Sequence, residues 1–213
     1  MMQKTILCYG DSNTWGWDPV TQIRLNRDKR WPGVLGNALG HRYWVVEEGL
    51  CGRTTVRDDP MGVYRNGRDY LIPCLQSHEP LDLVILMLGT NDLKQRFELK
   101  ARDVAAGAET LVRLILKSNI GPDSTIPKVL LISPSLVTMS VDDEFEGAIE
   151  KSQELGGLYA QVATSRGVAF LDAARVVVPS ETDGVHWDAE EHQRFGLTVA
   201  DLVRKQLLPL APV

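Results

Sequence analysis

Residues Leu81–Leu88, with the sequence LDLVILML, decide the fold. The run is apolar except for Asp82, and a continuous apolar run of this length is typical of a strand buried on both faces of a parallel sheet. The next four residues, GTND at positions 89–92, are small, polar and turn-forming. The sequence therefore predicts a central parallel strand that ends in a polar loop.

Strand and helix patterns alternate outward from this run along the whole chain. The other predicted strands are Lys4–Tyr9, Tyr43–Val46, Val129–Ile132 and Val168–Leu171, and the predicted helices are Trp31–Leu39, Asp69–His78, Ala101–Lys117, Ile149–Ser165 and about Ala189–Leu207. Such alternation indicates βαβ units with right-handed crossovers. The predicted fold is α/β, with three α/β/α layers, flavodoxin-like, around a doubly wound, five-stranded parallel sheet.

The chain is predicted to form a single domain over residues 1–213. It is 213 residues long and 44% hydrophobic, which is enough to bury one sizeable core. The long irregular segment is an inserted loop at about residues 53–68, which is rich in charge and turn residues. A loop of this length in a compact domain is usually functional or an interface, although an ordinary solvated loop is the alternative.

Composition excludes several classes of partner. The net charge is −5 and no long basic stripe is present, which argues against nucleic acid and anionic membranes. No apolar stretch approaches the ~20 residues of a membrane span, and the first apolar segment is too short for a signal peptide. We expect a cytoplasmic protein with a small-molecule substrate.

The cysteines and histidines form no recognisable metal or disulfide pattern. Cys8, Cys51 and Cys74 are widely spaced without a C-x-x-C pair, and the four histidines include no H-E-x-x-H motif. We therefore expect reduced thiols, no bound metal and no cofactor, while a metal site built from distant residues stays open.

Polar groups follow the first three predicted strands. In an open parallel sheet the active crevice lies beyond the carboxyl ends of the strands. After the first strand, Ser12 in the stretch GDSNT at 10–14 is placed to be a nucleophile at the start of a helix. After the second, Gly49-x-x-Gly52 can present a backbone N–H to an anion. After the third, Asn91 can aim its amide at an oxyanion and Asp92 can cap a short helix. Plain capping and turn formation are the alternatives at each position.

Asp183 and His186 form the sharpest local signal, after the fifth strand. A carboxylate three positions before a histidine in a tight turn can accept a hydrogen bond from the imidazole and fix its tautomer, which suits a general base. The other histidines lack this setting. His41 and His78 lie at helix ends, and His192 is predicted to lie on a solvated helix face beside Glu190 and Glu191.

These four loops together resemble the SGNH hydrolase superfamily, also called GDSL esterases or lipases. The sequence contains Gly10-Asp11-Ser12-Asn13, Gly49-x-x-Gly52, Gly89-x-Asn91-Asp92 and Asp183-x-x-His186 in the superfamily's order, and the resemblance covers nearly the whole chain. The extended blocks at residues 10–17, 47–55 and 87–92 resemble the arylesterase and acyltransferase branch. Asn13 stands where the family name expects Leu, and Glu47 stands where Asn is common. These departures are expected to alter packing or capping behind the nucleophile and to remove an amide that could brace the loops.

The resemblance and the residue chemistry imply one mechanism. Ser12 attacks an ester carbonyl, His186 takes its proton, and Asp183 orients the imidazole. The oxyanion hole is expected to consist of the Ser12 N–H, the Gly52 N–H and the Asn91 side-chain amide.

The expected activity is a serine esterase that hydrolyses small aryl or short alkyl esters and can also pass the acyl group to alcohols. The expected substrate-binding residues lie near the motifs in sequence, and an ordinary core position is the alternative for each. They are Trp15, Leu50, Cys51, Val185 and Trp187, and Trp17 belongs to the same apolar group. A carbohydrate O-deacetylase of the same superfamily and a non-catalytic flavodoxin-like binding module are the alternative functions. A homo-oligomer is expected, with the 53–68 loop and its Met61, Val63 and Tyr64 in the interface.

Overall fold

The computed structural model describes residues 3–139 and 143–209. In these residues the strands are β1 (Lys4–Gly10), β2 (Tyr43–Gly49), β3 (Leu83–Met87), β4 (Lys128–Ser133) and β5 (Ala169–Asp172). The α-helices are α1 (Ser12–Trp15), α2 (Trp31–Leu39), α3 (Gly67–Ser77), α4 (Ala101–Leu116), α5 (Ala148–Arg166) and α6 (Ala189–Leu202). Short 3-10 turns at Asn91–Leu93, Gln95–Phe97, Pro122–Ser124, Asp143–Phe145 and Ala173–Arg175 join them.

The strands form one parallel sheet in the order β2-β1-β3-β4-β5. Gly10 pairs with both Gly49 and Met87, so β1, β2 and β3 end at the same level. The strand order reverses direction between β1 and β3, and this switch point is where α/β sheets open a crevice for ligands. The predicted fold class is confirmed.

Alternating side chains of the strands build two separate cores. Leu7 and Tyr9 of β1 belong to the core that α3, α4 and α5 cover, whereas Ile6 and Cys8 belong to the core that α2 and α6 cover. Because successive side chains of a strand point to opposite faces, a strand buried on both faces is apolar throughout. Helices on both faces give the three layers.

Most element boundaries agree with the sequence pattern within two residues. Two differ by more. Strand β2 extends three residues beyond the predicted Val46, to Gly49. The last helix ends at Leu202 and passes into a π-helical turn at Val203–Leu207, in which the Leu208 N–H donates to the Val203 carbonyl at 2.8 Å.

The irregular loop begins after Gly52 and ends two residues earlier than predicted, where α3 begins at Gly67. Asn66 caps this helix by accepting a hydrogen bond from the Arg68 N–H. The base of the loop is closed by two backbone hydrogen bonds. The Thr54 N–H donates to the Arg65 carbonyl, and the Gly67 N–H donates to the Thr54 carbonyl. The closed base leaves an exposed tip that contains Met61, Val63 and Tyr64.

None of the helices within residues 3–139 and 143–209 combines the length and the apolar character that crossing a bilayer requires. The single domain was predicted over residues 1–213, so that prediction also covers positions outside the described ranges.

Candidate active site

Ser12, His186 and Asp183 form a continuous hydrogen-bonded chain. The His186 Nε2 lies 2.9 Å from the Ser12 Oγ, and the His186 Nδ1 lies 2.7 Å from the Asp183 Oδ2. Ser12 follows β1 and the other two follow the edge strand β5, so 174 positions separate Ser12 from His186. The three side chains have the arrangement of a nucleophile, a general base and a carboxylate that orients the base.

The backbone around Ser12 is packed against its neighbours. Asp11 caps α1 by accepting a hydrogen bond from the Asn13 N–H at 3.1 Å. A Cβ atom at Gly10 would lie 2.0 Å from the Thr14 Oγ1 and 2.9 Å from the Met87 carbonyl oxygen. Gly10 is therefore required because the chain approaches Thr14 and β3 closely at this position.

Asp183 is fixed by backbone donors as well as by His186. Its Oδ1 accepts hydrogen bonds from the Val185 N–H at 3.0 Å and the His186 N–H at 2.9 Å. Partial burial raises the pKa of Asp183, but the hydrogen bonds from His186 and Val185 outweigh burial and leave the pKa below its ordinary value. The carboxylate is consequently ionised at neutral pH and able to stabilise an imidazolium.

The predicted oxyanion donors lie on three loops at the carboxyl end of the sheet. Within the part of the chain that the structure describes, no hydrogen-bond acceptor pairs with the Ser12 N–H or the Gly52 N–H. Gly52 has φ of 78°, a left-handed conformation that favours glycine. The Asn91 amide donates one hydrogen to the Arg53 carbonyl at 3.1 Å, which joins the second and third loops and leaves its other hydrogen available.

Comparison with known proteins decides the family. The model of the GDSL-like lipase/acylhydrolase family matches residues 8–194. The chain belongs to this family. It is an esterase or acylhydrolase of the GDSL superfamily, and the predicted recognition is confirmed.

Solved structures support the same assignment. The native aryl esterase of M. smegmatis is 42% identical, with 96% of this chain and 100% of that chain covered and a TM-score of 0.92. A carbohydrate acetylesterase from Sinorhizobium meliloti is 40% identical, with 94% and 98% covered and a TM-score of 0.91. A lipolytic G-D-S-L family protein from Veillonella parvula shares the fold at 15% identity, with 95% and 99% covered and a TM-score of 0.67. A search among curated protein sequences found no match.

Asn13, the departure from the GDSL name, holds the loop that carries His186. Its Nδ2 donates to the Val185 carbonyl and its Oδ1 accepts from the Trp187 N–H, both at 3.2 Å. Asn13 was expected to alter packing or capping behind the nucleophile, and the structure shows a further contact, because its one buried amide binds the backbone on both sides of His186. Sequence spacing gave no signal of this contact.

Glu47, the second departure in this GDSL-family chain, forms ion pairs with a basic loop. Its carboxylate contacts Arg24, Arg27 and Arg30. Arg24 in turn donates to the Trp15 carbonyl at 2.8 Å and lies over the Trp15 ring. Glu47 thus braces the loop before α2 by charge, where the sequence analysis expected the loss of a bracing amide.

Asp92 connects two site loops instead of capping a helix. Thr90 holds the N-cap position of the 3-10 turn, and the Asp92 carboxylate accepts hydrogen bonds from the Thr55 N–H and hydroxyl. Full burial raises the pKa of Asp92 to about 6, against the opposing effect of the Thr55 hydrogen bonds. The capping prediction is wrong, and Asp92 ties the third loop to the second.

The predicted substrate-binding residues divide into two groups. Trp15, Leu50 and Cys51 are partly exposed beside the crevice, and Val185 retains 6% exposure. Trp187 is fully buried, donates its indole N–H to the Ser135 hydroxyl and packs on Phe195. The prediction of a substrate contact for Trp187 is therefore wrong. Trp17 is an aromatic neighbour of His186, with a distance of 6.0 Å between the two ring centroids.

His192 is buried, although its flanking glutamates predicted a solvated face. The Trp31 N–H donates to its Nδ1 at 3.3 Å, and its ring packs against Trp187. Burial lowers the pKa of His192 to about 3, so the side chain is neutral at ordinary pH. The imidazole belongs to the α2/α6 core and lies outside the hydrogen-bonded chain of Ser12.

Arg53 is a site residue that the sequence analysis missed. Its buried guanidinium lies over the Tyr9 ring and donates to the carbonyls of Gly10 and Glu48. Arg53 thereby joins the ends of β1 and β2, next to the residues that lead into Ser12. Its position directly after Gly52 was the available signal.

Proposed function

We propose that this GDSL-family protein is a serine esterase that hydrolyses small carboxylic esters through an acyl-enzyme on Ser12. The observation that carries the proposal is the chain from the Ser12 Oγ through the His186 Nε2, at 2.9 Å, to the Asp183 carboxylate, at 2.7 Å from Nδ1. A base within hydrogen-bonding distance of a hydroxyl can remove its proton as the oxygen attacks.

The proposed reaction has two half-cycles. Ser12 Oγ forms a bond to the ester carbonyl carbon while His186 accepts the hydroxyl proton, and Asp183 stabilises the resulting imidazolium. The tetrahedral oxyanion accepts hydrogen bonds from Ser12, Gly52 and Asn91. As the ester C–O bond breaks, His186 returns the proton to the leaving alcohol. Water then attacks the acyl-enzyme and gives its proton to His186; the bond between the acyl carbon and the Ser12 Oγ breaks as His186 returns the proton to Ser12. An alcohol in place of water would give acyl transfer.

The surroundings of Ser12 favour aryl or short alkyl esters. Trp15, Trp17 and Leu50 place partly exposed apolar surface beside the hydrogen-bonded chain. Apolar walls with a few placed polar groups are typical of sites for small organic ligands. The similarity to an aryl esterase from M. smegmatis supports this preference.

A carbohydrate O-deacetylase is the second candidate, because a pocket that several polar and aromatic side chains line borders Leu50. The pocket measures about 550 Å³ and is lined by hydrogen-bonding and aromatic side chains, including Glu48, Asp58, Tyr64, Asn66, Asp69 and Tyr70. Several such groups in one open pocket fit a saccharide better than an apolar alcohol. The similarity to a carbohydrate acetylesterase from Sinorhizobium meliloti also supports this candidate.

Labelling with a serine-directed organophosphonate tests the nucleophile. We expect one adduct on Ser12, with loss of hydrolysis in parallel, and no adduct on folded Ser12→Ala. Folded wild type that neither reacts at Ser12 nor hydrolyses any ester would favour a flavodoxin-like binding module.

A substrate panel separates the two esterase candidates. We would compare kcat/KM for p-nitrophenyl esters of rising chain length with kcat/KM for acetylated saccharides, using wild type and Tyr70→Ala. An aryl esterase favours the short p-nitrophenyl esters and tolerates the variant. A deacetylase favours the saccharides and loses that preference when the Tyr70 ring is removed from the pocket.

A further inference from the structure

Three potential metal ligands converge at the junction of β2 and α3. They are Glu48 near the end of β2, Cys74 in α3 and His78, which caps the end of α3 one turn after Cys74. One donor atom from each side chain lies within 4.8 Å of the other two. The His78 Nε2 is 2.8 Å from the Glu48 Oε1. None of the three belongs to the hydrogen-bonded chain of Ser12.

The donor set matches the chemistry of zinc. A thiolate, an imidazole and a carboxylate are the ligands that Zn²⁺ takes in proteins, and three protein ligands with water in the fourth position are a common arrangement. Hard cations such as Mg²⁺ and Ca²⁺ prefer an all-oxygen set. Zinc–ligand bonds of ~2.0–2.3 Å place neighbouring donor atoms roughly 3.5 Å apart. The three donor atoms already lie within 4.8 Å of one another, so small side-chain shifts would bring them to that spacing.

The surroundings fit a divalent ion with an open coordination position. Cys74 is buried, while the side chains of His78 and Glu48 are 26% and 20% exposed. Glu48 also lines the pocket beside Leu50, so one of the three side chains faces an open pocket. Burial and the Glu48 carboxylate raise the pKa of the Cys74 thiol to about 12, so the thiol is protonated before an ion binds. The Arg53 charge acts in the opposite direction and favours the thiolate.

We propose that Glu48, Cys74 and His78 form a Zn²⁺ site that joins the end of β2 to the end of α3. On binding, the sulfur–zinc bond forms as the Cys74 proton leaves to solvent, His78 offers the Nε2 lone pair, and Glu48 offers a carboxylate oxygen. The thiolate and the carboxylate balance the two positive charges of the ion. A metal bound to the folded chain and not to the unfolded one raises the stability of the folded state.

Cobalt titration tests the site without reference to ester hydrolysis. Chelator-treated, folded wild type is titrated with Co²⁺, whose bond to a thiolate produces a charge-transfer absorption band. We expect the band to saturate at one Co²⁺ per chain and to disappear when Zn²⁺ is added. No band in folded wild type would overturn the proposal before any variant is made.

Variants then assign the ligands. We expect Cys74→Ala to abolish the cobalt band and His78→Ala to weaken Zn²⁺ affinity at least 10-fold by calorimetry. His41→Ala, which changes an exposed histidine outside the cluster, should bind like wild type. Thermal unfolding should show a higher Tm with Zn²⁺ for wild type and His41→Ala only. Unchanged affinity in folded Cys74→Ala and His78→Ala would overturn the proposal and leave Glu48 and His78 as a hydrogen-bonded pair.

Discussion

Asn91 lies where its side-chain amide can serve both structure and chemistry. One amide hydrogen binds the Arg53 carbonyl, and the proposed function assigns the other to the oxyanion. We expect Asn91→Ala to lower kcat about 10²–10³-fold, the usual effect of removing one oxyanion donor. The loss of the hydrogen bond to Arg53 should reduce the free energy of unfolding by only about 1 kcal/mol. Turnover on a p-nitrophenyl ester and urea unfolding check both values, and near-normal turnover would remove Asn91 from the oxyanion hole.

Asn13 ties helix α1, which begins at Ser12, to the loop of His186. In Asn13→Leu, which restores the residue of the family name, the buried Val185 carbonyl and Trp187 N–H lose their partners. We expect the free energy of unfolding to fall by about 1–3 kcal/mol per unpaired group and kcat to fall about 10–100-fold as His186 loses its position. Urea unfolding and the pH profile of kcat are the measurements. A folded variant with an unchanged kcat and pH profile would show that His186 is positioned without Asn13.

Asp92 gives the protein a pH-dependent stability. An unfolded Asp has a pKa of ~3.9 and Asp92 in the folded chain has a pKa of about 6, so the folded state holds this proton more tightly. The contribution of Asp92 is therefore complete below pH ~4 and is lost as pH rises through 6. Asp92→Asn keeps the size of the side chain and one oxygen that can accept a hydrogen bond from Thr55. We expect the variant to avoid this loss of stability at higher pH.

Urea unfolding of wild type and Asp92→Asn between pH 4 and 7 measures the effect. The stability difference should shift in favour of the variant by roughly 2–3 kcal/mol as pH rises, following the shift of about two pKa units. His192, whose pKa is lowered to about 3, makes the stability rise with pH, opposite to the effect of Asp92. Because both proteins contain His192, its contribution cancels in the stability difference between them. A difference that does not vary with pH would contradict the raised pKa of Asp92.

Helices α2 and α6 approach each other closely because α6 carries Gly196. A Cβ atom there would lie 2.8 Å from the Trp31 carbonyl oxygen and 2.7 Å from the Val34 Cβ. We expect Gly196→Ala to lower the free energy of unfolding by about 1–3 kcal/mol, since the backbone of α2 must move. Thermal and urea unfolding would measure the change.

Gly157 in α5 is the matched control for this packing contact. A Cβ atom there has no neighbour within 4 Å, so Gly157→Ala adds helix propensity without a clash. We expect that variant to be about 0.5–1 kcal/mol more stable than wild type. A stabilised Gly196→Ala, alongside a stabilised Gly157→Ala, would mean that helix propensity outweighs the α2–α6 contact at Gly196.

The tip of the 53–66 loop is the surface from which we propose a homo-oligomer. Met61, Val63 and Tyr64 are 79%, 75% and 89% exposed, and large apolar side chains gathered on one exposed loop are typical of an interface. We expect light scattering to give a multiple of the chain mass for wild type and a smaller species for Val63→Lys/Tyr64→Lys. Val20→Lys, at a 68% exposed position elsewhere, is the control. A monomeric wild type would end the proposal.

Much of the fold and of the proposed site was predictable because it depends on local pattern. The apolar strands and amphipathic helices encode their own burial, and the crevice of a parallel sheet must lie at the strand ends where Ser12, Asn91 and His186 occur. The incorrect predictions concern side chains whose environment depends on distant neighbours. Trp187 and His192 are buried by α2 and by each other, and no local pattern around the two glutamates indicates that.

The sequence by itself determined the alternation of strands and helices, the family, and the identity of the groups that we assign to chemistry. Only the tertiary structure decided how these groups are held: Asn13 against the His186 loop, Asp92 against Thr55, Glu47 against three arginines, and Cys74 and His78 beside Glu48. The physical reason is range. Hydrophobic periodicity and turn chemistry act over a few neighbouring residues, so they can be predicted from the sequence. A long-range hydrogen bond or a ligand cluster joins residues that are distant in sequence and become neighbours only when the chain packs.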